Sequence, residues 1–338
     1  MDLPFSFDRN LMETFVKALK NNGIIGMPTE TVYGLAGNAL SDEAVLKIYD
    51  MKKRPPVNPL IIHVATLEQA LHYGEFDADA LTLAKHFWPP SPHASSLTLV
   101  VPLRRHYEDR NSVTRQSTQQ NAIASPSARN DYYIKHRNDI SKYVTAGLDT
   151  IAIRVPNHPV ALELLKQCDF PVAAPSANLS TMLSPTKKEH VIFDIPVLEG
   201  GPCQVGIEST IVKGNTILRP GIITKSMLED VLGKTFLINQ NETTIQAPGM
   251  MKKHYSPKTP VVLNSTQYDL SNEALLGFGD IQGTMNLSVK GDLREAAQNL
   301  FAYLYELDQK KYARIHIAPL PYEQELSDSI YDKLKRMI

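Results

Sequence analysis

Residues 27–64 restrict this chain to one kind of architecture. An apolar run ends at Met27 and leads into Pro28-Thr29-Glu30-Thr31-Val32-Tyr33-Gly34-Leu35-Ala36. A segment with helical spacing then closes on Lys52-Lys53-Arg54-Pro55, and Asn58-Pro59-Leu60-Ile61-Ile62-His63-Val64 follows. Two short apolar strands with a helix between them call for a sheet with helices packed on it. Ser41 opens the helix, Asp42 and Glu43 suit its first turn, and Val45, Ile48 and Met51 share one side until Pro55-Pro56 ends it. Lys52 and Arg54 therefore lie at a helix end beside a loop.

The same reading extends along the chain. A helix is predicted from Asn10, whose spacing to Glu13 is that of a capping box, as far as Asn22-Gly23. Further helices are expected over 77–87, 158–167, 186–193 and 225–232, and strands over 23–27, 97–101, 150–155, 170–174, 209–212 and 216–219. Strands and helices mix without strict alternation, which predicts a mixed sheet with helices. Residues 104–139 are polar and almost without aliphatic periodicity and read as an insertion, while 239–260 reads as a linker. Beyond Pro260 a smaller α/β unit is expected, with strands at 261–263, 275–278 and 314–317, a long helix over 292–307 and a terminal helix from 326. The domain boundaries are thus 1–238, 239–260 and 261–338.

Lys and Arg number 35 against 36 Asp and Glu, so no global field draws the protein to nucleic acid or an anionic membrane, and anion binding has to be local. Cys168 and Cys203 have no paired spacing, which argues against a disulfide framework and a thiolate metal site. No secretory leader or membrane-length apolar run is legible, and a cytoplasmic protein is expected. The ten histidines fall in no metal-ligand spacing, and neither GxSxG nor HExxH occurs.

A polyphosphate needs fixed cations and donors, and Lys52 with Arg54 offers both, although a solvated basic helix end would read the same way. Ala173-Ala174-Pro175-Ser176-Ala177-Asn178-Leu179-Ser180 follows a strand, where small residues let backbone approach a ligand; an ordinary polar turn is the alternative. Gly206-Ile207-Glu208-Ser209-Thr210-Ile211-Val212 opens a hairpin that ends in Leu218-Arg219-Pro220-Gly221. Arg219 is there either a phosphate contact or a surface arginine.

Together the Lys52-x-Arg54 and Ser176-x-Asn178 pairs, the 28–35 block, Asn58-Pro59-Leu60, the 206–210 block and 218–221 resemble the YrdC/Sua5 family, in family order across about residues 10–235. Ala247-Pro248-Gly249-Met250 through His254-Tyr255-Ser256-Pro257 and the C-terminal unit resemble the two-domain Sua5 branch. The chain departs from the family's compact Trp-Pro-Gly-Pro-Leu-Thr-Leu block, carrying Trp88-Pro89-Pro90-Ser91-Pro92-His93-Ala94-Ser95-Ser96-Leu97-Thr98-Leu99 instead.

The resemblance implies an α/β fold with a twisted mixed sheet and helices around a concave basic cavity, plus a small Rossmann-like C-terminal domain. It implies a nucleotidyltransferase that makes L-threonylcarbamoyladenylate from L-threonine, bicarbonate and ATP with release of pyrophosphate. This is the first step of N6-threonylcarbamoyladenosine formation at tRNA position 37. Implied catalytic residues are Lys52, Arg54, Ser176 and Asn178. Implied ATP contacts are Lys52, Arg54, Asn58, Thr150, Ser176, Asn178, Ser184, Arg219 and Tyr255; implied threonine contacts are Thr31, His63, Arg154, Ala174 and Ser209. Mg²⁺ is expected on the ATP phosphates without protein ligands, the linker is expected to act as a lid, and a downstream tRNA threonylcarbamoyl-transferase machinery and weak tRNA binding are implied partners. Two other readings stay open at this point: a non-catalytic double-stranded RNA or tRNA-binding module, and a carbamoyl-transfer domain of hydrogenase-maturation type.

Overall fold

The computed structural model describes residues 9–104, 140–239, 245–250, 255–269, 271–322 and 324–338. The insertion expected over 104–139 lies outside them except for Arg104, as do residues 251–254 of the linker.

A nine-stranded sheet runs in the order β1 (Ile25–Met27), β2 (Gly34–Asn38), β6 (Val172–Ala173), β3 (Ile61–His63), β5 (Thr150–Arg154), β4 (Leu97–Pro102), β7 (Thr210–Lys213), β8 (Thr216–Arg219) and β9 (Leu237–Ile238). It mixes parallel pairs, β3 with β5 and β4 with β7, with antiparallel ones, β4 with β5 and β7 with β8. Strand side chains alternate between faces. Ile62, Ile153, Leu99 and Val212 therefore join one core with Val45 and Ile48 of α2 (Asp42–Lys52), Leu83 and Phe87 of α4 (Ala78–Phe87) and Leu228 of α6 (Lys225–Leu232). The short helix α3 (Leu67–Ala70) borders it.

The opposite face is covered in two different ways. At its β1 end, Met27, Ala36 and Val172 pack against Phe15 and Leu19 of α1 (Arg9–Lys20) and Leu164 of α5 (Pro159–Gln167). At the other end Ile61, Val100, Ala152, Ile211 and Leu218 are covered by Ala247 and Met250 of the linker. His63 and Arg154, paired in register, lie on this face between the two covers.

The C-terminal unit is a parallel sheet, β10 (Val261–Leu263), β13 (Arg314–Ile317), β11 (Glu273–Gly277) and β12 (Met285–Asn286). Its core joins Ala274, Leu276, Ile315 and Ile317 to Leu300 and Leu304 of α7 (Leu293–Gln309) and Ile330 of α8 (Glu325–Lys335). The two units dock tightly. Gly206, at φ +77°, lies where a Cβ would meet the Gln298 backbone at 2.4 Å, so no larger residue fits there. Among the described residues no helix is long and apolar enough to cross a membrane.

Three expectations are corrected. The helix expected over 186–193 is only a 3₁₀ turn, Lys188–His190. The Thr186 carbonyl that would accept the first α-helical bond is taken by the Cys203 N–H at 2.9 Å, so the His190 N–H turns to Lys187. Asn10 does not cap α1, because Arg9 is already helical. Strand β2, Gly-Leu-Ala-Gly-Asn, was not expected, since its glycines argue against a strand. Both sit at close contacts: a Cβ on Gly34 would meet Ala174 Cβ at 3.0 Å, and one on Gly37 would meet the side-chain tips of Ile24 at 2.9 Å and Ile48 at 3.0 Å.

Candidate active site

The end of α2 sorts its three cations. Lys53 takes a left-handed conformation, φ 51°, and its N–H closes the helix on Asp50 and Tyr49. Lys53 then faces solvent beside Asp50, while Lys52 and Arg54 on either side are buried. The Lys52 ammonium donates to the carbonyls of Ser176 at 2.5 Å and Asn178 at 2.6 Å, which ties α2 to the turn after β6. The Arg54 guanidinium donates to the Asn58 and Pro59 carbonyls and to Asn58 Oδ1 at 2.7 Å. Burial holds Lys52 well below the usual lysine range, with Arg54 adding to the depression and Glu208 opposing it. Burial lowers Arg54 to about 10, so it stays charged at neutral pH.

Arg219, at the end of β8, donates through Nε to the Ser209 carbonyl and through Nη2 to Ser209 Oγ, both at 3.0 Å. Ser209 Oγ also shares a 2.8 Å hydrogen bond with Thr98 Oγ1. Strand β4 thus meets β7 in register despite the altered 88–99 block, whose Trp88 Nε1 donates to the Leu97 carbonyl at 2.8 Å. Arg154 forms a buried 2.6 Å ion pair with Glu30. The Thr29 hydroxyl is hydrogen-bonded to Thr31 Oγ1 at 2.9 Å and donates to the Val32 carbonyl, which sets the Thr31 loop.

Thr31, Arg54, His63, Arg154, Ala174, Ser176, Glu208 and Arg219 line one cavity with Pro248 and Gly249. Lys52, Asn58, Asn178, Ser184, Ser209 and Tyr255 stand directly behind these residues, in contact with the wall rather than on it. Thr150 lies apart. It lines a separate cavity with Lys213 and Gln246, beyond the Ala247 and Met250 plug at the far end of β5. Thr150 shares one face of β5 with Ala152 and Arg154, but its cavity is also lined by Ala80, Leu83 and Leu99 from the opposite side of the sheet.

The free volume of the Arg54 cavity is about 40 Å³, room for a few waters and not for a nucleotide. Pro248 and Gly249 of the linker form part of its wall. Gly249, at φ +83°, sits so close that a Cβ would meet Arg219 Cδ at 2.7 Å and the Tyr255 hydroxyl at 3.2 Å. Tyr255 is itself buried, with Lys333 of α8 over its ring at 5.7 Å. Lys333 in turn donates to the Pro220 carbonyl, next to Arg219, and Ser329 donates to that of Gly221. The C-terminal unit thereby braces the Arg219 loop.

Two site carboxylates, Glu30 and Glu208, were not assigned a role from the sequence, although both lie inside the blocks singled out there. A glutamate flanked by residues with strand patterning is the available signal, because burying it demands a reason.

Two expectations arise from this geometry. His63 is buried, and burial together with the nearby Arg154 lowers it to about 3. From about pH 6.5 down to 3 the unfolded chain holds a proton there that the folded protein does not, so stability falls as pH drops through that window, by up to ~1.4 kcal/mol per pH unit for one such group. His63→Gln should flatten this acid dependence when urea midpoints are compared between pH 7 and 4. Arg154→Ala alone would strand the Glu30 charge. For the threonine contacts that the family resemblance implies, the informative variant is therefore Arg154→Met with Glu30→Gln, expected to weaken L-threonine binding about 10-fold or more, the loss of one charge-assisted contact. Nucleotide affinity by calorimetry without threonine should stay nearly constant, and equal losses of both ligands would make Arg154 a structural arginine.

Two family models cover the chain. One, Sua5_yciO_yrdC, described as telomere recombination, matches residues 17–129 and 102–221; the other, the threonylcarbamoyl-AMP synthase C-terminal domain, matches 223–337. A threonylcarbamoyl-AMP synthase of Bacillus subtilis is 40% identical over 259 residues, 72% of this chain and 64% of that protein's length. That of Pyrococcus abyssi is 30% identical over 86% of this chain and 83% of its own, and that of Schizosaccharomyces pombe 35% over 80% and 68%. The crystal structure of P. abyssi Sua5 complexed with L-threonine superposes with a TM-score of 0.79 at 28% identity, covering 98% of this chain and 95% of that one.

Proposed function

This chain belongs to the Sua5–YciO–YrdC family and carries the Sua5 C-terminal domain, and from that premise we propose that it makes L-threonylcarbamoyladenylate from L-threonine, bicarbonate and ATP. The observation that carries this reading is one cavity with two chemically different sets of residues. Arg54 and Arg219 stand within charge range of each other, while Arg154 lies in register with His63 and is joined to Glu30, next to Thr31. Guanidinium groups suit phosphate oxygens at the first, and a guanidinium with a neutral imidazole and a hydroxyl suits an amino-acid carboxylate and side chain at the second.

The threonine amine combines with bicarbonate to give a carbamate, with loss of water. A carbamate oxygen then attacks the α-phosphorus in line, the bond to the β-phosphate oxygen breaks, and pyrophosphate leaves, which is nucleotidyl transfer. Lys52 fixes the 176–178 turn, and Arg54 and Arg219 stabilise charge that builds on the departing phosphates. Magnesium, when bound with ATP, supplies further neutralisation of that charge. His63, held neutral by its burial, accepts or donates a hydrogen bond without adding charge beside the amino acid.

The product is a mixed anhydride that water destroys. The cover formed by Ala247 to Met250 and the buried Tyr255 excludes water, and the same cover has to lift to admit ATP. The product is consumed by a transferase that modifies tRNA in the cytoplasm, with weak tRNA binding by this chain as a further contact. Incubation of the full chain with ATP, L-threonine and ¹³C-bicarbonate should yield singly labelled threonylcarbamoyladenylate by mass spectrometry. Its absence, with the protein folded and fresh product trapped at once, would contradict the proposal.

A further inference from the structure

A carboxylate stands among the groups that would hold phosphate. Glu208 is only 5% exposed and lines the same cavity as Arg54 and Arg219. Its Oε1 accepts a short hydrogen bond from Ser184, while its Oε2 is buried with no hydrogen-bond partner. The cations whose charge it feels are held by other groups. Lys52 donates to the Ser176 and Asn178 carbonyls, and Lys333 donates to the Pro220 carbonyl and Asp332.

A buried carboxylate oxygen without a donor is costly, and beside a triphosphate it is also repelled by the ligand. Both penalties vanish if a divalent cation lies between them. Magnesium is bound in this manner in nucleotide sites, by one or two carboxylates together with phosphate oxygens and water. Among the described residues no three His, Cys, Asp or Glu side chains form a group able to hold a metal ion by themselves. The protein accordingly offers one ligand, and the nucleotide has to bring the rest.

We infer that Glu208 is a protein ligand of the divalent cation that enters with the nucleotide, its Oε2 joining phosphate oxygens and water around the ion. This departs from the expectation of a cation without protein ligands, and it rests on the reading of the cavity as a nucleotide site. Ser184 acts here as a positioning residue that orients the carboxylate through Oε1.

The test uses the full chain, the non-cleavable analogue α,β-methylene-ATP, and Mn²⁺ as the probe. Metal-free analogue binding is measured by calorimetry and Mn²⁺ binding to the protein–analogue complex by electron paramagnetic resonance. Glu208→Gln, which keeps size and an acceptor for Ser184, should weaken Mn²⁺ binding to that complex about 10-fold or more. It should leave metal-free analogue binding equal or tighter, since a repelling charge has gone. Glu208→Asp retains the charge on a shorter arm and should fall between the two; it carries the comparison if the Gln variant does not fold. Wild-type Mn²⁺ affinity in a folded Glu208→Gln complex would overturn the inference, as would a selective loss of L-threonine binding, which would assign the carboxylate to the threonine amine. If the wild-type chain binds the analogue neither with nor without Mn²⁺, the nucleotide reading itself fails.

Discussion

The Lys52→Met, Arg54→Ala double variant is expected to lose about two to four orders of magnitude in kcat/KM for ATP while remaining folded. Each truncation removes a charge-assisted contact worth about 1.5–3 kcal/mol, and every 1.4 kcal/mol is about tenfold. The two positions act differently. Lys52 acts from behind the wall: its bonds to the Ser176 and Asn178 carbonyls hold the turn that carries Ser176. Arg54 lines the cavity directly and is oriented by Asn58 and Pro59. Arg54→Ala alone should therefore raise the KM for ATP with little effect on threonine binding, whereas Lys52→Met should disturb both ligands. Methionine at 52 keeps the packing of the buried stem. Kinetics together with thermal melting of the variants decide the matter, and near-wild-type turnover in a folded double variant would mean that neither Arg54 nor the turn held by Lys52 serves ATP.

Truncation after Asn239 is expected to leave a folded catalytic unit that has lost about 100-fold or more of its activity, the scale of effect that loss of positioning alone produces. The buried members of the two large cores of this unit all come from residues before 240, so the sheet and its helices keep their packing. What disappears is the cover: Ala247 and Met250 over Ile61, Ala152 and Leu218, Tyr255 behind the cavity wall, and the Lys333 and Ser329 bonds to the Pro220 and Gly221 carbonyls beside Arg219. The site is then open to water and the Arg219 loop is unbraced, although Arg54, Ser176 and Arg154 remain. Circular dichroism should show a native-like unit, and product formation should drop. Undiminished turnover by the truncated unit would mean that the C-terminal domain serves some other purpose.

Elements with a clean pattern were legible in the sequence. Helix α6 and strands β8, β10 and β13 match the expected limits, because strong periodicity and caps agree with the tertiary structure. Lys52 and Arg54 were legible as a pair beside a loop, yet burial of both depends on the left-handed Lys53, which no periodicity reveals. The 188–190 turn and strand β2 were missed for related reasons: a distant N–H captured the Thr186 carbonyl, and glycines that look like breakers sit in a strand pressed by Ala174, Ile24 and Ile48. Most of the residues implied for ATP and threonine gather at one cavity, but Thr150 lies past a plug that only the folded linker creates. Glu30 and Glu208 went unassigned because a carboxylate's role depends on which charges surround it in space.

The coupling of a carbamoylated amino acid to the α-phosphate of ATP in one cavity has a simple readout. The most direct measurement is pyrophosphate release from ATP by the full chain, with threonine and bicarbonate each withheld in turn. Release is expected only when both are present, in step with threonylcarbamoyladenylate formation. Release that proceeds without threonine, or that ignores bicarbonate, would contradict it.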